Sequence, residues 1–131
     1  MSSAIAWSCL FSLKMAAAFL YNVTGEREWE DIFAEESVVT GPQTPLFEKG
    51  RQDAYYQIWS AAAYLTCPQQ RHYPDLYRNL LSSIQWHADL NNVLPAAERP
   101  SRRAANDPRW QTSENLQLVM MAHYSTTDAA R

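Results

Sequence analysis

The sequence predicts an all-α fold: about five helices packed as an irregular bundle around an apolar N-terminal helix. Three observations carry that expectation. Apolar residues recur at helical spacing in five separate stretches. Alternating, strand-like runs are almost absent. Proline and glycine fall between the stretches or at their edges. At 131 residues the chain is one domain, residues 1–131, with loops at about 37–50 and 95–107 and a loose tail at 126–131. Hydrophobic residues make up 47% and charged residues 19%, which is enough apolar surface for a core and excludes global disorder. A net charge of -3 argues against general nucleic-acid or anionic-membrane binding.

The first element is the run from Ser3 to Val23. On a helix, Ile5, Ala6, Cys9, Leu10, Phe11, Leu13, Met15, Ala16, Ala17, Ala18, Phe19 and Leu20 leave almost no polar arc. Its one charge, Lys14, shares an i, i+7, i+14 line with Trp7 and Tyr21, which predicts a narrow wet seam. A helix this apolar is buried by other elements, by a partner chain or by lipid. Ser8, Ser12 and Lys14 interrupt it, and residues 2–7 hold no Lys or Arg, so neither a membrane span nor a signal peptide is expected. Packing in the core, or against a second copy as a homodimer seam, remains.

The helix ends near Asn22 to Gly25, and Thr24 is placed to cap a second one. Glu26, Glu28 and Glu30 fill the second helix's first turns, where the macrodipole favours anions. Trp29, Ile32 and Phe33 form its apolar stripe. Residues 37–50 read as a loop with anchors at Leu46 and Phe47. Arg51 to Thr66 is the third helix, with Tyr55, Ile58, Trp59, Ala62 and Leu65 at helical spacing. Its flat patch, Ala61 to Ala63, suits docking on the alanine run of the first helix. Pro68 ends it.

Pro74 at the first helical position and Asp75 in the first turn start the fourth helix. It carries Leu76, Leu80, Ile84 and Ala88 on one line, with His87 beside it. After a Pro- and Arg-rich break, Asp107-Pro108 starts a fifth helix that runs to about Ser125. Its expected inner side is Trp110, Leu116, Val119, Met120 and His123, with Leu118, Met121 and Ala122 on the adjacent arc.

Recognisable chemistry is sparse. His72, His87 and His123 lack the i, i+3 or i, i+4 partners of a preorganised metal pair, so no metal and no cofactor is expected. Cys9 and Cys67 are two lone thiols without CxxC spacing. They read as reduced packing residues of a cytoplasmic protein rather than a disulfide pair, and Cys67 sits at a helix C-terminus, where the dipole opposes a reactive thiolate. The carboxylates from Glu26 to Glu36 read as a solvated acidic face. No catalytic constellation emerges.

Two oppositely charged surfaces beside many aromatics remain. One is basic: Arg99, Arg102, Arg103 and Arg109, followed by Trp110, four guanidinium groups able to grip carboxylates and to stack. The other is acidic, with Glu28 and Asp31 at its centre. Trp59 and Trp86 are expected to enter the core. The leading functional expectation is therefore a small regulator that binds another protein: an inhibitor, adaptor, antitoxin or immunity-type partner, or an assembly subunit. The alternative is a small enzyme or ligand-binding protein with an inter-helix pocket lined by Tyr64, Trp86, His87 and His123.

Overall fold

The structure, a computed structural model, describes residues 3–46, 54–89 and 111–126. These form five helices: α1 (Ser3–Thr24), α2 (Arg27–Glu35), α3 (Ala54–Leu65), α4 (Pro74–Ala88) and α5 (Gln111–Thr126). Among the described residues there is no strand, and residues 37–46 run as the expected loop. The helices pack on one another, α1 on α2 and α3, and α4 on α5. Helix α3 makes substantial contacts with α1, α4 and α5, and so joins the two halves. No helix of the described residues is long and apolar enough to cross a membrane.

Helix α1 buries one face and exposes the other. Lys14, Ala17, Ala18 and Tyr21, at i, i+3, i+4 and i+7, are all buried. The expected wet seam along Lys14 and Tyr21 is thus the inward face. The reason is that both polar ends find partners inside. The Lys14 ammonium donates to Gln57 Oε1 at 2.6 Å and lies 5.7 Å from the centroid of the Phe33 ring. The Tyr21 hydroxyl donates to the carbonyl of Gln70. The small side chains Ala17, Ala18 and Ala61 let α1 and α3 approach closely, and Asn22 Nδ2 reaches Ala63 O at 2.7 Å. The opposite face keeps Leu13, Phe19, Leu20 and Val23 in solvent, so the helix is not enclosed on all sides.

Gly25 ends α1 with φ +71°, the left-handed conformation that glycine adopts without a Cβ penalty. Thr24 closes α1 rather than opening α2. Its hydroxyl donates to Leu20 O and accepts the Glu26 N–H, while Glu26 holds the N-cap position of α2 without a side-chain cap. Beyond α2, Val39 and Leu46 anchor the described part of the 37–50 loop in the core. Ser83 ties that loop to α4, donating to Gly41 O and accepting the Thr44 N–H. Phe47 lies outside the described residues.

Helix α4 follows its expected phase. Pro74 opens it, and Leu80, Ile84, His87 and Ala88 are buried. Helix α3 meets its expected phase in part and α5 is rotated from expectation. In α3, Ile58 and Leu65 are buried as expected, but Trp59 is 45% exposed, and Gln57, Ser60, Ala61 and Tyr64 are buried as well. Ser60 can be buried because its hydroxyl donates to Tyr56 O at 2.6 Å. In α5, Leu118 is fully buried, with Met121 and Ala122 packed on the core, whereas Leu116, Met120 and His123 face solvent.

Candidate functional site

The most heavily constrained polar group described is the carboxylate of Glu30. It sits on the inner face of α2, beside Phe33, and is fully buried. The acidic run is therefore not a uniformly solvated face. Glu30 turns in because three donors compensate its desolvation. The Tyr64 hydroxyl donates to Oε1 at 2.9 Å, and the His72 backbone N–H donates to the same oxygen at 2.9 Å. His72 Nδ1 lies 2.5 Å from Oε2. Two bare acceptors would repel at that separation, so a proton lies between them.

The surrounding groups respond to this buried anion. Burial, then the neighbouring Glu30 charge, pushes the Tyr21 hydroxyl up to about 12. Burial and the hydrogen bond to Glu30 raise Tyr64 further still. Phe33 stacks on Tyr64 with ring centroids 4.6 Å apart. Arg71 lies outside the ring of donors: its Nη2 donates to Leu65 O and Cys67 O, and its guanidinium sits over Tyr77 at 4.1 Å. The cluster clamps the connector between α3 and α4 onto α1 and α2.

The outer side of α2 faces a shallow, open groove of about 490 Å³ shared with α4. Asp31, Ala34, Glu35, Val39, Tyr73, Leu76 and Asn79 line it. Tyr73 donates to Asp31 Oδ1 at 2.7 Å, and that hydrogen bond raises the Tyr73 pKa. Arg27 pairs with Asp31 across one helical turn at 3.6 Å.

The residues singled out in the sequence scatter over this fold. Glu28 and Asp31 are exposed on α2. Arg99, Arg102, Arg103, Arg109 and Trp110 lie outside the described residues. Of the four residues expected to line a pocket, Tyr64 is held in the Glu30 cluster, and Trp86 and His87 are neighbours with ring centroids 6.1 Å apart. His123 is exposed on α5, and none of the four lines the α2–α4 groove. Burial lowers the His87 pKa. Cys67 is buried, but Cys9 is exposed rather than packed, and neither forms a disulfide. Among the described residues no group of three His, Cys, Asp or Glu side chains is placed to hold a metal ion.

Apolar residues left outside are the other notable feature. On α5, Leu116 is 57%, Met120 62% and Tyr124 72% exposed. They stand at i, i+4 and i+8, one above the next. Comparison of the chain with known protein families, with characterised proteins and with solved structures gives no match.

Proposed function

We propose that the protein works by binding another protein, as a regulator or assembly subunit, through the outward row of α5. The observation that carries this reading is the alignment of Leu116, Met120 and Tyr124 in solvent. Three large, mostly exposed side chains stacked on one helical face form a row that an apolar face of a partner can cover. The exposed carboxylates of Glu28 and Asp31 on α2 supply a separate acidic surface for a partner. An exposed Cys9 without a disulfide fits a reducing compartment such as the cytoplasm.

The test is a photo-crosslinking amino acid placed at Met120 and, separately, at Arg78 on α4, with both proteins expressed in their native cells. A discrete adduct from position 120 and none from 78 supports the reading. Adducts at both positions, or at neither, contradict it.

The groove between α2 and α4 favours a second reading, a ligand-binding protein. Its two carboxylates, phenol and amide over an apolar floor of Ala34, Val39 and Leu76 suit a small organic cation. A thermal-shift screen of amines that stabilises the wild type and not Glu35→Gln would favour it over the interaction reading.

A further inference from the structure

We infer that α1 pairs with α1 of a second copy of this chain. Among the described residues, Cys9, Leu13, Ala16, Leu20 and Val23 form an exposed row on its outer face, with Ser12 and Phe19 exposed at its edge. Their spacing is 4, 3, 4, 3. That is the repeat of a two-stranded helical seam, in which each apolar side chain drops between side chains of the facing helix. The row covers 15 residues, roughly 21 Å at about 1.5 Å per residue. It runs opposite Lys14, Ala17, Ala18 and Tyr21, which the protein's own α2 and α3 already cover. The inner and outer rows together explain why the helix reads as apolar nearly all round.

A second copy is the occupant that fits. Between Cys9 and Val23 the only charged residue is Lys14, and it is turned inward and bonded to Gln57. The outer face therefore carries none of the flanking charges that select an unlike partner in paired helices. An uncharged apolar row is complementary to itself about a two-fold axis. With Phe19 beside it, full burial of the row in a pair would cover at most about 1,000 Å², the lower limit for a specific association. This interface is independent of the α5 row, so either can fail without the other.

The experiment is sedimentation velocity on the full chain at rising micromolar concentration, with thiol labelling of Cys9 under the same conditions. Cys67 is buried, so labelling of the folded chain reports Cys9. The wild type should sediment as a dimer, and Cys9 labelling should slow as concentration rises. The Leu13→Glu, Leu20→Glu double variant should keep its helical circular dichroism and melting curve. It should dissociate at least tenfold more readily and label at a concentration-independent rate. A Leu116→Glu, Met120→Glu variant should stay dimeric. A monomeric wild type overturns the inference, and so does a dimer that survives the α1 changes or is lost with the α5 changes. Loss of a different captured protein on Leu20→Glu, with the wild type monomeric, overturns the second-copy assignment in favour of an unlike partner.

Discussion

The His72 imidazole lies 2.5 Å from the carboxylate of Glu30, although the two residues are 42 positions apart. One belongs to the connector before α4 and the other to the inner face of α2. This contact, with Tyr64 and the His72 N–H on the second carboxylate oxygen, fixes how the connector lies across the bundle. Glu30→Gln keeps the volume but removes the charge that holds the donors. It should cost about 3 kcal/mol, since hydrogen bonds to a buried charge are the costly ones to lose. Urea unfolding of the two proteins checks this, and equal midpoints would refute the role given to Glu30.

Tyr21 makes the bundle sensitive to alkali. Its folded value is about 12 against 10.0 for an ordinary tyrosine, with burial as the main cause. The folded state therefore holds the proton more tightly. That contribution to stability is complete below pH 10.0 and is lost as pH rises through about 12. Chemical unfolding between pH 9 and 12 should show stability falling with pH, and Tyr21→Phe should flatten that slope. Tyr21→Phe with an unchanged slope would contradict the burial of that hydroxyl.

His87 acts at the other end of the pH scale. Burial lowers its pKa from 6.5, so the folded state favours the neutral ring. Its contribution is present above pH 6.5 and is lost as pH falls below 6.5 towards the folded value. His87→Gln should lessen the loss of stability between pH 6.5 and 5. The NMR titration of the ring should sit below that of a free histidine.

Gly25 is needed where the chain turns from α1 to α2. At φ +71° a Cβ is strained, and it would lie 2.8 Å from Gln69 Oε1. The amide can swing aside, so backbone strain dominates, and Gly25→Ala should cost about 1–2 kcal/mol. Thermal unfolding of Gly25→Ala, alone and with Gln69→Ala, separates the two causes. Rescue of most of the loss by Gln69→Ala would assign the cost to contact instead.

Helix α5 offers a direct check of which face is inside. Leu118 is fully buried and Leu116 is 57% exposed. Leu118→Ala should cost about 2–4 kcal/mol and Leu116→Ala about 0.5 kcal/mol or less. Denaturant midpoints of the two variants decide it, and the reverse order would put the row of Leu116, Met120 and Tyr124 inside.

The same two leucines show what was legible in the sequence. The five helices, the turn at Gly25 and the start of α4 at Pro74 follow from local chemistry and are found where the sequence puts them. Rotation about the helix axis was harder to read. In α5 both arcs carry apolar residues, so periodicity does not choose between them. In α1 the lone charge of Lys14 marked the wrong side as wet, because its partner Gln57 lies 43 positions away on α3. Glu30 looked like one more carboxylate in a solvated run, and no local signal announces Tyr64 and His72, 34 and 42 positions downstream. Trp59 points out although its size suggests the core, since the small residues Ser60 and Ala61 are what allow neighbouring helices to approach α3.

The central claim is that the apolar row on α5 serves a partner and not the fold. The most direct measurement is a paired one on Leu116→Glu, Met120→Glu: thermal melting of the purified chain, and crosslinking from position 124 in native cells. The account predicts a melting temperature within about 2 °C of the wild type, as for surface substitutions, together with loss of the crosslinked partner. A large drop in melting temperature, or an unchanged adduct, would contradict it.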